Sequence, residues 1–214
     1  RFAVVKAIVD VEPRGIARAA HAQLDARAPA RLVALLRAGV SLDLRDGAGS
    51  SLAARAMRMD ETTASDSAVD WTGLLIQEGP PPQAPLANWL LLWGAANGRI
   101  SLVRRLLKVC IPVDATLQGS LPCEHIEGTE RRYWWPGGTA LHQVLAPTER
   151  SYSFLYEESN RYNEQMLHVL LDSGASPNIA DARGRTPLHI AADAGLVKAG
   201  RLLLDRAGDS SLRD

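Results

Sequence analysis

Between Asp181 and Gly208 the chain reads DARGRTPLHIAADAGLVKAGRLLLDRAG. Polar turn residues alternate there with two short stretches whose apolar positions recur at helical spacing. Leu202, Leu203 and Leu204 give the second stretch an apolar side, and Ala191 and Ala192 keep the first thin. The pattern predicts a turn, a helix, a second helix and a closing turn. A unit of about 30 residues is too small to bury its own apolar face, so it is stable only when stacked on similar units.

The closing phrase recurs upstream. LLLDRAG (202–208) is echoed by LLDSGAS (170–176), LLIQEGP (74–80) and LLRAGVS (35–41), and RLLKVCIPVD (105–114) carries Cys110 in place of glycine. The markers Gly39, Gly79, Cys110, Gly174 and Gly208 lie 40, 31, 64 and 34 residues apart. These spacings predict five helix pairs at roughly 10–42, 43–79, 84–113, 114–178 and 179–210, the fourth enlarged by two insertions. In the first pair Ile16 to Leu24 and the segment from Pro29 are the helices, with Leu32, Leu35 and Leu36 as a buried stripe. In the second, Ser51 to Met59 runs into a polar stretch from Asp60 to Asp66 that reads as a solvated loop, and Val69 to Gln77 is the outer helix. Gly79 and Pro80 to Pro82 predict an extended connector. Leu86 to Ala96 and Ile100 to Val109 form the third pair.

Local chemistry agrees with this reading. Asp181 to Gly184 suits a type I turn. Thr186 is placed to cap the inner helix with its hydroxyl, and Pro187 takes the first helical position, where no amide hydrogen is needed. Gly208 is expected to leave the outer helix in a left-handed conformation.

These residues resemble the ankyrin-repeat family. Thr186-Pro187-Leu188-His189 matches its TPLH signature, and Asp181, Gly184, Ala191-Ala192, Gly195 and Gly208 fall on further consensus positions. Gly138-Thr139-Ala140-Leu141-His142, followed by Gly174-Ala175-Ser176-Pro177-Asn178, is a second match. Asp46, Gly49 and Ser51 echo the motif more faintly. The resemblance covers nearly the whole chain and is strongest from residue 137 onward. It implies an all-α ankyrin-repeat solenoid forming a single domain over 1–214, with His142 and His189 bonding backbone and the neighbouring threonine to tie one turn to the next. It also implies a protein-binding module and no enzyme.

Composition narrows the partner class. Lysine plus arginine and aspartate plus glutamate number 24 each among 214 residues, so no net field draws in nucleic acid or an anionic membrane. No apolar run approaches the roughly 18 residues that span a bilayer. The two cysteines, Cys110 and Cys123, fit a reducing cytoplasm or nucleus and argue against a disulfide-stapled domain. Opening at Arg1 and stopping at Asp214, the chain reads as a piece of a longer protein, and a monomer is expected.

Candidate binding residues follow from alignment of the inner helices, which places His21, Arg55, Trp93, Gln143 and Ile190 in equivalent positions facing a concave surface. Arg58 lies three residues beyond Arg55, and Asn97 follows the third inner helix. Trp93 reads as an interface anchor; the competing reading packs it beneath the long finger of repeat four. Of 11 aromatic residues, seven lie between 133 and 162: Tyr133, Trp134, Trp135, Tyr152, Phe154, Tyr156 and Tyr162. Insertions rich in Tyr and Trp have the composition of binding surfaces, although they can also fold onto each other as a satellite cluster.

The expected partner is therefore a protein or peptide. The alternatives are a small ligand or methyl-lysine held by the clustered Trp and Tyr residues, or a non-catalytic accessory role in a larger enzyme. Cys123 and His125, with Cys110 or His142, match no standard zinc spacing. As a nucleophile and base, Cys123 and His125 sit only two apart on a finger. No phosphate-binding loop or hydrolase motif occurs. No cofactor, metal or catalytic residue is assigned.

Overall fold

A computed structural model describes residues 13–47, 49–62, 69–84, 86–109, 111–116, 137–146 and 163–208. Among them are ten helices and, outside the helices, one isolated antiparallel bridge between Arg45 and Ser51. The helices come in the five expected pairs: α1 Pro13–Asp25 with α2 Pro29–Arg37, α3 Leu52–Thr62 with α4 Trp71–Glu78, α5 Leu86–Ala96 with α6 Ile100–Lys108, α7 Ala140–Leu145 with α8 Glu164–Asp172, and α9 Pro187–Asp193 with α10 Val197–Gly208. The chain divides into two compact units, the first ending at Leu86 and the second taking up α5 from Ala87.

In the first unit α1 packs on α2 and on α3, while α4 packs on α2 and α3. Inner helix therefore meets inner helix and outer meets outer, as stacked pairs require. Ala17, Ala20, Leu24, Ala53, Ala56 and Met57 fill the inner layer, and Leu32, Leu36, Trp71 and Leu75 the outer one. Leu35, expected in that stripe, is only half-buried. Gly79 leaves α4 in an extended conformation (φ −88°, ψ 172°). Its glycine is required by close approach: a Cβ there would stand 2.6 Å from the Leu75 carbonyl oxygen and 3.0 Å from Leu42.

The polar stretch after Met59 begins differently from the expectation. Asp60 is helical and buried, because its two carboxylate oxygens each accept a 2.9 Å hydrogen bond from the start of α4, Oδ1 from the Trp71 amide and Oδ2 from the Thr72 amide. Asp70 adds the ordinary N-cap, accepting from the Gly73 amide at 2.8 Å.

In the second unit α7 packs on α8 and α9, α8 on α6 and α10, and α9 on α10. α5 and α6 meet at Gly94, where a Cβ would lie 3.0 Å from Val103. Asp114 accepts the Ser176 amide with both oxygens, at 3.0 and 3.2 Å, tying the turn after α6 to the turn after α8. Gly174 takes the left-handed conformation (φ +88°) that ends α8, whereas Gly208 is the last residue of α10.

Candidate functional site

The turns that launch the inner helices are built alike. Asp181 Oδ1 accepts the amides of Arg183 and Arg185 at 2.8 Å each, and the Gly184 amide closes the turn onto the Asp181 carbonyl at 3.0 Å. Asp46 repeats the device, taking the Ser50 amide at 2.9 Å and, through its carbonyl, the Gly49 amide at 3.0 Å. Each turn needs its glycine at positive φ, +76° at Gly184 and +82° at Gly49.

The two signature histidines complete the turns. Nδ1 of His142 accepts the Thr139 amide at 3.1 Å and lies 3.0 Å from its hydroxyl, while Nε2 donates to the Arg185 carbonyl at 3.0 Å. This fixes the neutral Nε2–H tautomer. Burial holds its pKa below the ordinary 6.5, against smaller raising effects of the Arg185 carbonyl and Asp181. His189 makes the same box with Thr186, at 3.1 and 2.8 Å. The threonine thus caps in partnership with the histidine three residues on, the bonding that the family resemblance implied.

The sequence-chosen binding residues meet different fates. Trp93, read from sequence either as an interface anchor or as a packed indole, is only 3% exposed, with the Arg99 guanidinium 5.9 Å from its ring centroid. The reason is its helix: Leu86, Ala87, Trp89 to Trp93 and Ala95 of α5 are buried, and a helix apolar all round keeps no side for water. Gln143 is buried too. Asn97 is exposed, its side-chain amide donating to the Trp93 carbonyl at 2.9 Å.

Arg55 and Arg58 are half-buried on α3 and already bonded. Arg55 grips Asp25 through two 2.7 Å bonds and Asp46 through a third at 3.0 Å, and Arg58 reaches the Ser50 hydroxyl at 3.0 Å. Nearby, Nε2 of buried His21 lies 3.1 Å from the Leu44 carbonyl oxygen. Asp25 and Asp46 were missed as parts of this clasp; Asp46 had been read only as the turn's aspartate. Tyr133, Trp134, Trp135, Tyr152, Phe154, Tyr156 and Tyr162 lie outside the described residues, as do Cys110, Cys123 and His125. Among the described residues no three His, Cys, Asp or Glu side chains gather as a metal site would need, and no helix is long and apolar enough to cross a membrane.

Residues 161–203 match the family model for ankyrin repeats in many copies. The helix pairs agree with solved ankyrin structures. One is an ankyrin repeat domain from Acinetobacter baumannii AYE, at TM-score 0.54 and 21% identity, covering 82% of this chain and 74% of that one. Residues 161–203 thus carry ankyrin repeats, and the described helix pairs share the ankyrin-repeat fold. A second solved ankyrin repeat protein aligns at TM-score 0.50 and 19% identity over 85% of this chain and 77% of its own. At these identities the solved structures speak for the fold alone.

Two curated relatives each match over a short stretch. An ankyrin repeat-containing protein of Schizosaccharomyces pombe is 48% identical over 44 residues, 21% of this chain and 21% of its own length. The potassium channel AKT1 of Arabidopsis thaliana is 49% identical over 45 residues, 21% of this chain and 5% of the channel. The matched stretch is thus a small part of either relative. Ankyrin repeats are in general protein–protein interaction modules and typically non-catalytic scaffolds.

Proposed function

We propose that this chain binds a protein or peptide partner, contacting it with the inner-helix face and the two aromatic insertions of the fourth repeat. The observation that carries this reading is the concentration of seven of the 11 aromatic residues between 133 and 162. Tyrosine and tryptophan supply large contact areas at low entropic cost, which is why binding surfaces accumulate them. Tyr133, Trp134, Trp135, Tyr152, Phe154 and Tyr156 are the anchors. Arg55, Arg58 and Asn97 supply polar contacts at the margin. Trp93 and Gln143 act from beneath, holding the face in shape. The partner is a protein surface or peptide segment; nucleic acid and membrane have no role, and the setting is the cytoplasm or nucleus.

The test compares the intact protein with a variant in which a short linker replaces residues 147–162, and with Trp134→Ala/Trp135→Ala. Partners captured by the intact chain should be lost from both variants, while far-ultraviolet circular dichroism keeps its helical signal. Equal capture by all three would refute the assignment of the insertions. Quenching of tryptophan fluorescence by nucleotides would favour a flat small ligand instead.

A further inference from the structure

Outer helix α6 divides into two sides. Leu102, Val103 and Leu106 are buried, while Ser101, Arg104, Arg105 and Lys108 recur at i, i+3, i+4 and i+7 and form one stripe. Ser101, Arg104 and Lys108 are exposed and Arg105 is half-buried. The helix holds these three cations and no carboxylate, although the chain as a whole balances 24 of each. α6 is an interior helix: α8 packs on it, and α10 packs on α8.

The other outer helices show a bond that α6 lacks. Arg37, Lys108 and Asp172 stand at the same place, two residues before the markers Gly39, Cys110 and Gly174. Arg37 pairs with Glu78 of α4 at 2.8 Å, and Asp172 pairs with Arg206 of α10 at 2.6 Å. Lys108 has no such bridge, and its acidic counterpart on α8 is the same Asp172 that Arg206 holds. Among the described residues Arg104, Arg105 and Lys108 make no ion pair. Cations in the last turn of a helix gain from its dipole, but that effect does not call for three of them. Next to Lys108, Val109 is 42% exposed, where the first and fourth pairs place buried Ala38 and polar Ser173.

Charge complementarity identifies what fits this stripe. Arg104 and Lys108 are separated by about 6 Å along the helix axis, close to the roughly 7 Å between alternate residues of an extended chain. Carboxylates on every second residue of an extended segment match that spacing, with an apolar neighbour left for Val109. Anionic lipid is held by clusters of about four to eight cations, and duplex nucleic acid by about six to ten phosphate contacts. Three cations in a chain of zero net charge suit a short peptide.

We propose that the outer side of α6 docks an acidic, extended segment of a partner protein, its carboxylates on Arg104, Arg105 and Lys108. This surface does not depend on the role assigned to the aromatic insertions.

Fluorescence anisotropy of a fluorescein-labelled heptapeptide, Glu-Ser-Glu-Leu-Glu-Ser-Glu, titrated with the whole chain at low salt, tests it. Saturable binding is expected, weakened about tenfold or more by Arg104→Glu/Lys108→Glu, with the circular dichroism spectrum unchanged. Arg104→Gln/Lys108→Gln should weaken it less, and carries the comparison if the charge reversal disturbs folding. Arg31→Glu/Arg201→Glu, which reverses exposed cations on α2 and α10, should leave binding as it was. Absence of binding overturns the proposal, as does an equal loss in the two reversal pairs. So does tighter binding of single-stranded oligothymidylate or phosphatidylserine vesicles that Arg104→Glu/Lys108→Glu abolishes.

Discussion

Both ring nitrogens of His142 are committed, one accepting within its own turn and the other donating to the Arg185 carbonyl of the next. A proton added at Nδ1 would remove the acceptor that holds the Thr139 amide. The folded pKa is depressed below 6.5 by burial, so the histidine's contribution to stability is complete above that value. As pH falls below it, the unfolded chain takes up a proton that the folded chain refuses. Stability should then decline by up to about 1.4 kcal/mol per pH unit until the depressed folded pKa is reached. Urea unfolding at a series of pH values checks this, and His142→Gln should flatten that part of the profile. Trp93 makes the opposite kind of residue-scale point. Its burial predicts that Trp93→Ala costs about 3–5 kcal/mol in urea unfolding, the price of a core truncation. A change within a few tenths of a kcal/mol would return the indole to the surface role expected from sequence.

Elements were legible where their signals are local. The TPLH and GTALH turns, Pro29 and Pro187 at helix starts, and the span Leu86–Ala96 could all be read because caps and prolines act within a few residues. Two features were not readable this way. The run beginning Asp60-Glu61-Thr62 has loop composition, and nothing local says that its first carboxylate holds the amides of Trp71 and Thr72. The inner-helix alignment found the register of Trp93 but not its burial, because equivalence by position ignores how apolar the rest of α5 is. Asp60 gives an element-scale prediction. Asp60→Ala leaves two amides at the start of α4 without their acceptor and should cost about 2–3 kcal/mol. Asp60→Asn, keeping one oxygen, should cost less, with urea unfolding as the measurement.

For the whole molecule, repetition made the fold class readable well before any site was. Five recurrences of one pattern outweigh the weakness of each, whereas the candidate contacts rested on single residues or on segments of unusual composition. The aromatic insertions illustrate the difference, since composition suggests a role for Trp134 or Tyr156 without giving either a neighbour. Arg55 illustrates it from the other side: its inner-helix position was foreseen, but its charge is shared between Asp25 and Asp46, so it is less available to a partner than an isolated arginine would be.

Packing and side-chain bonds fasten the fourth pair at several points. α7 and α8 are packed on each other, the Asn163 side chain secures the start of α8 through the Met166 amide at 2.9 Å, and Asp114 pins Ser176 just beyond its end. Because these fastenings lie on α8 and on the turns beside it, selection for the placement of the fourth pair acts first on Asn163, Asp114 and Ser176.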